Sequence, residues 1–418
     1  MSDEERRALD AVDVDAAVRL TSELVRVQSV TGTPGEVDGQ DAVADAWRRA
    51  GIEVDEWDDD PDVLAALDGF PGVEAERAVV RGLAGRVRGA GGGRSLLLNG
   101  HVDVVPVGEL SQWTGDPFDG RIEDGAVWGR GACDMKAGLA CAVAAVDAVR
   151  RSGIVLRGDV VLHSVVGEED GGIGTFATLR RGHRADAAIV PEPTAGSVIV
   201  ANAGALTFRL VVHGRAAHGS VRIEGVSALT KLLPVLTALE ELEAARNQSP
   251  DPLVADHVLP YGLSIGTVHA GEWASTVPDR LVADGRYGVA LDEDPAAARA
   301  AFEAAVAGAC AGDAWLRDHP VEVTWPGGQF ASGRLPAGHP LLDLVRGAAT
   351  DAGAPAPPVV RGAPYGSDLR LLVAAGIPTL HVGPGDVALA HGPDERVPVD
   401  DIAWVTRLLV LAIVRWCR

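Results

Sequence analysis

Residues 160–174 read VVLHSVVGEEDGGIG. The first seven are mostly apolar and β-branched, a short unbroken run of the kind found in strands buried on both faces. Glycine ends the run, and two adjacent glutamates, Glu168 and Glu169, follow it directly. The same pattern occurs twice more. Ser95–Leu98 leads into Asn-Gly-His101-Val-Asp103, and Ala187–Val190 leads into Pro-Glu192-Pro. Between these runs lies Met135–Arg151, apolar at helical spacing, with Ser152-Gly153 beyond its end. Strands alternating with helices predict an α/β sheet covered by helices on both faces.

Outward from this core, residues 14–51 read as two helices around a loop rich in Thr and Gly. After Gly204 the pattern changes: a strand (Thr207–His213), a helix (Ser227–Arg246, apolar at Leu229, Leu232, Leu233, Leu236 and Leu239), two strands (Leu263–Val268, Leu281–Val289), an alanine-rich helix (Pro295–Cys310) and a strand (Val321–Trp325). Pro234 should bend the first of these helices or mark a shifted start. This β-α-β-β-α-β order is the ferredoxin-like arrangement. The expected organisation is therefore a catalytic domain in two segments, 1–203 and 328–418, with an inserted α+β domain at 204–327. The second segment should supply a helix, a strand (Pro378–Val382) and a closing helix from Asp400.

The net charge is −22. So acidic a chain repels nucleic acid and anionic membrane surfaces. The apolar run Leu408–Val414 is too short to span a bilayer. The polar, acidic start MSDEERRALD does not resemble a signal peptide, and Cys133, Cys141, Cys310 and Cys417 show no disulfide or metal spacing. A cytoplasmic protein is expected.

Five acidic or histidine sites share one context. His101 with Asp103, Glu168 with Glu169, and Glu192 follow predicted strands; Asp134 precedes a helix, and His391 lies in the loop after Pro378–Val382. In an open α/β sheet, loops beyond the carboxyl ends of the strands form the ligand crevice. Asp134, Glu168, Glu169 and Glu192 gathered there would repel one another unless cations neutralised them. Two divalent ions would do so, with His101 and His391 as nitrogen ligands; this donor set suits zinc, with cobalt or manganese as alternatives. His101 and Asp103, two apart on an extended chain, face one side, so Asp103 can accept the free ring N–H of His101. Glu168 and Glu169 are neighbours whose side chains diverge. One can bind metal while the other reaches the attacking water.

The motifs GHVDVVP, DPFDGRIEDGAVWGRGACDMKAG, GEEDGGIG, PEPT, GRAAHGS and GPGDVALAHGPDERV, in this order along nearly the whole chain, resemble the di-zinc metallopeptidase family of aminoacylase, acetylornithine deacetylase, succinyl-diaminopimelate desuccinylase and glutamate carboxypeptidase. The resemblance implies that Asp134 bridges two metals. His101 and Glu192 would complete one site, and Glu169 and His391 the other, with Glu168 as general base and Asp103 as orienting residue. It implies a homodimer through the inserted domain, with His218 reaching the partner's active site. Arg286 would bind a substrate carboxylate, and Ser367 and Gly383 would line the pocket. The implied substrate is an N-acyl amino acid or related small amide, with a dipeptidase or carboxypeptidase using the same site as the alternative. An inactive scaffold would need a lost ligand, and every position is filled. The remaining motifs point nowhere else. Cys133 adjoins a donor set that is already complete. GEEDGGIG lacks the GK[ST] of a phosphate loop, and EWDDDPD (56–62) lacks the glycine and final Glu of a calcium loop.

Overall fold

In the computed structural model, which describes residues 1–354 and 356–418, the chain forms two compact units. One comprises Met1–Ala201, Arg334–Arg361 and Ser367–Arg418, and the other Asn202–Gly333 with Gly362–Gly366.

The larger unit is built on a nine-stranded sheet. Its centre is parallel: Val160–Val165 pairs with Leu96–His101, which pairs with Ala187–Val190, which pairs with Thr379–His381. Every residue of Leu96–His101, Val160–Val165 and Ala187–Val190 is buried, which explains why these strands read as continuous apolar runs. Val80–Val87 and Glu53–Asp59 extend one side antiparallel. The helices Val14–Val25, Ala137–Arg151 and Val399–Trp416 pack together. The last buries Ile402, Val405, Leu408, Leu409, Val410, Leu411, Ile413 and Val414 almost completely. Each such side chain contributes about 1.5–3 kcal/mol of burial energy, so the Leu408–Val414 run is core. Among the described residues no helix is long and apolar enough to cross a membrane. The parallel register puts His101 level with Val165, so their loops leave the sheet at one edge.

The smaller unit has the strands Gly204–His213, Leu263–Ala270, Arg280–Val289 and Glu322–Thr324. In space the order is second, third, first, fourth, all antiparallel, with helices Ala228–Arg246 and Pro295–Gly312 completing the ferredoxin-like pattern. Alternate residues Leu206, Phe208, Leu210 and Val212 are fully buried and form its core with Leu232, Val235, Leu239, Phe302 and Val306. Pro234 lies inside the continuous helix Ala228–Arg246. Of the leucines that mark this helix in the sequence, Leu229 and Leu233 are exposed, at 49% and 56%.

Candidate metal centre

Each donor is placed by a strand end or a tight turn. His101 is the last residue of its strand. Glu168 and Glu169 follow Gly167, whose φ of 66° turns the chain sharply out of the Val160–Val165 strand. Glu192 lies two residues past Ala187–Val190. Asp134 sits in an irregular turn, Ala132–Lys136, with extended φ/ψ of −115° and 92°, ahead of helix Ala137–Arg151. The Asp134–Met135 peptide is cis. His391 has a φ of 62°, an uncommon conformation for a residue with a side chain.

These positions converge. His101 Nε2 lies 3.3 Å from Asp134 Oδ1 and 3.5 Å from Glu192 Oε1. His391 Nε2 lies 3.6 Å from Asp134 Oδ2 and 3.1 Å from Glu169 Oε2. The two Asp134 oxygens thus face different imidazoles. Donor atoms of His101, Asp134 and Glu169, and of His101, Glu168 and Glu192, lie within 4.8 Å of one another. His101 is fully buried, whereas the His391 side chain is 54% exposed, so the cluster opens on the His391 side.

Four carboxylates share two imidazoles, and the electrostatics show the imbalance. Burial, reinforced by Asp368, pushes Glu168 well above the usual carboxylate range. Burial and the Asp134 charge raise Glu169 and push Glu192 up to about 8. Burial opposes the Asp134 charge too, but hydrogen bonds from His101 and His391 outweigh it and hold its pKa low. Hydrogen bonds to Asp134 and Glu169 push His391 up to about 11. Divalent cations would relieve this excess negative charge, and the mixed nitrogen and oxygen donors are those such ions bind.

Asp103 is buried beside the cluster, and its hydrogen bonds differ from those expected. The His101 Nδ1 ring nitrogen meets the Asp103 main-chain carbonyl at 2.9 Å. The Asp103 carboxylate lies 3.7 Å away and instead accepts the backbone N–H groups of Glu168 and Glu169, both at 3.2 Å, and the Thr31 hydroxyl at 3.1 Å. Two aligned amides outcompete a ring N–H that its own carbonyl already satisfies.

Ser367 is buried, its hydroxyl 3.1 Å from His381 Nε2. Gly383 touches the chain at Pro191, where a Cβ would come within 2.2 Å of a carbonyl oxygen, so no side chain fits. In the smaller unit, His218 is exposed and bonds Ser220 Oγ at 2.8 Å. Arg286 on the Arg280–Val289 strand is exposed and reaches the Pro364 carbonyl at 3.3 Å. Sequence reasoning passed over Arg130, Glu395 and Asp368, which touch the cluster from behind. The available signal was charge inside tight motifs: Arg130 between Gly129 and Gly131, Glu395 in PDERV, Asp368 in GSD.

An α/β unit whose strand ends and adjoining turns gather carboxylates and imidazoles in one cluster carries the donor set of a metal-dependent enzyme. The profile of Peptidase family M20/M25/M40 matches residues 97–415, and the chain belongs to that family. It is a hydrolase of amide bonds in N-acyl amines or peptides. It is 28% identical to N-formyl-4-amino-5-aminomethyl-2-methylpyrimidine deformylase of Bacillus subtilis (strain 168), over 96% of this chain and 94% of that protein. It is 31% identical to succinyl-diaminopimelate desuccinylase of Paracoccus denitrificans (strain Pd 1222), over 93% and 95%. Its fold matches the dipeptidase Dug1p of Saccharomyces cerevisiae (TM-score 0.77, 14% identity, 100% of this chain and 99% of that one). Human carnosine dipeptidase 1 is similarly related in fold (TM-score 0.76, 14% identity, 99% of each).

Proposed function

We propose that the chain removes the acyl group from an N-acyl amino acid or related small N-acyl amine, with Glu168 as general base. The observation that carries this reading is Asp134, each of whose oxygens faces a different imidazole. That is the arrangement a carboxylate shared by two cations requires. His101 and Glu192 would hold one ion and His391 and Glu169 the other, with zinc the expected metal and cobalt or manganese alternatives. When bound, the ions polarise the scissile carbonyl and acidify the attacking water.

The protein's own groups do the rest. Glu168 Oε1 accepts the Asp368 N–H at 3.1 Å, which fixes the carboxylate and leaves Oε2 to receive the water's proton. Glu168 then returns this proton to the leaving amine. Asp103 fixes the main chain of both glutamates. We assign to Ser367 and Gly383 the pocket wall, to Arg286 a substrate carboxylate, and to His218 the scissile carbonyl of substrate bound in the partner's active site, in a homodimer formed through residues 204–327. The four buried, free cysteines support a reducing, cytoplasmic setting.

The relatives at 28% and 31% identity are named for removing formyl and succinyl groups, whereas the dipeptidases of like fold are 14% identical, which favours deacylation over peptide cleavage. A hydrolysis screen of metal-replete enzyme against N-formyl, N-acetyl and N-succinyl substrates beside dipeptides tests this; a clear preference for dipeptides overturns it. Glu168→Gln should keep its metal and fold while turnover falls about 10²–10⁴-fold. Near wild-type turnover in that variant would remove Glu168 from the role of base.

A further inference from the structure

Behind the cluster lies a buried ion pair that binds no donor side chain yet touches the main chain of two. The strand Ala126–Trp128 pairs antiparallel with Arg396–Pro398, Trp128 opposite Arg396. This register sets Arg130, just past one strand, against Glu395, just before the other. Arg130 Nη1 donates to Glu395 Oε2 at 2.6 Å, and the two side chains are 2% and 1% exposed. The other Glu395 oxygen, Oε1, accepts the backbone N–H groups of Cys133 and Asp134 at 3.1 and 3.2 Å. The Arg130 guanidinium also donates to the carbonyls of His391 (3.1 Å), Gly392 (3.2 Å) and Pro106 (3.4 Å). It thereby ties together the turn of Asp134, the turn of His391 and the loop that follows His101 and Asp103.

We infer that Arg130 and Glu395 are positioning residues that set the spacing of Asp134 and His391, and so the second metal site. Both turns need an external hold. Asp134 lies in extended geometry inside a turn, and His391 in the left-handed region, which favours glycine. The turn around Asp134 is closed by the Lys136 N–H on the Gly131 carbonyl at 3.0 Å, but the Asp134 amide itself donates to Glu395, so the angle between the two donors depends on the charged pair. A guanidinium suits the task because its planar fork can serve a carboxylate and several carbonyls at once. A lysine at this position would keep the charge but could not hold all these acceptors.

The inference rests on the reading of Asp134 and His391 as ligands, and one set of measurements separates the two. Metal-free wild type, Glu395→Gln, Arg130→Lys and Asp134→Ala would each be titrated with zinc against a competing chelator. Visible spectra with cobalt(II), thermal unfolding, kcat and KM would be recorded in parallel. The expected result for Glu395→Gln is a folded protein whose second zinc equivalent binds about 10–100-fold more weakly. Its cobalt spectrum should be altered and its kcat lowered by a similar factor, with KM within about threefold of wild type. Arg130→Lys should fall between that variant and wild type. A purely structural pair would lower the unfolding temperature and leave the zinc isotherm and cobalt spectrum unchanged; that outcome in both variants overturns the inference. Should Glu395→Gln fail to fold, Arg130→Lys decides in the same way. An unchanged isotherm in Asp134→Ala would overturn the ligand reading itself, and this inference with it.

Discussion

Asp103 shows how one buried carboxylate can serve a site without touching the reacting atoms. Its oxygens take the amides of Glu168 and Glu169, while its carbonyl takes the imidazole nitrogen of His101. Removing its charge should therefore separate two effects. In Asp103→Asn the main-chain bond to His101 survives, but one side-chain atom becomes an NH₂ group facing amides that need an acceptor. Turnover should fall about 10–100-fold, with metal affinity changed much less. Steady-state kinetics beside metal analysis of the same preparation would check this, and an equal loss of both would show that Asp103 acts mainly through His101. His101, Glu168, Glu169 and Glu192 were legible from sequence because each follows an apolar run that reads as a buried strand, and Asp134 was marked by the helix it precedes. The partners of Asp103 were not, since alternation on an extended chain tells which side a residue faces but not whether side chain or carbonyl makes the bond. Arg130 and Glu395 escaped for a related reason: they lie 265 positions apart and meet only through a pairing of short strands that carries little signal.

At the scale of elements, long runs were easy to read and choices between faces were not. The helix Ala228–Arg246 is apolar at Leu229, Leu232, Leu233, Leu236 and Leu239, yet the unit's core takes Leu232, Val235 and Leu239 and leaves Leu229 and Leu233 outside. Periodicity locates apolar stripes; it cannot say which of two stripes meets the sheet. Short helices depend instead on their ends. Asp3–Asp10 starts with a capping box in which Ser2 and Glu5 satisfy each other's amides. Glu5 also accepts from Arg415 of the last helix at 3.0 Å. Burial raises the Glu5 pKa, but the bonds from Arg415 and the Ser2 amide outweigh it, and the net shift is downward from 4.5. A carboxylate with a lowered folded pKa contributes stability above its unfolded value and loses it as pH falls through the folded one. Glu5→Gln should thus cost about 1 kcal/mol at pH ~7 and progressively less below pH ~4. Denaturant midpoints of both proteins at the two pH values would test this. An equal difference at both would mean that the Glu5 charge contributes nothing.

For the whole molecule, the smaller unit presents an open edge and an apolar stripe together. The strand Leu263–Ala270 ends its sheet, with Val268 46% exposed. The helix Ala228–Arg246, which packs against that strand, turns Leu229 and Leu233 outward. An unpaired edge beside exposed leucines invites pairing with another chain unless it is covered. A second copy, related by a two-fold axis, would cover both at once, because a self-complementary contact uses the same patch twice. In such a dimer each substitution also counts twice. Replacing Leu229 and Leu233 by glutamate would place four charges where four leucines, each contributing about 1.5 kcal/mol or more, were buried. The loss of about 6 kcal/mol corresponds to roughly 10⁴-fold in dissociation constant. Sedimentation velocity at micromolar protein should then show a monomer in place of a dimer, with a circular dichroism spectrum like that of wild type. If His218 serves the partner's active site, the same variant should retain its metal and lose most of its turnover. A metal-loaded monomer with full turnover would place the carbonyl-polarising group within a single chain.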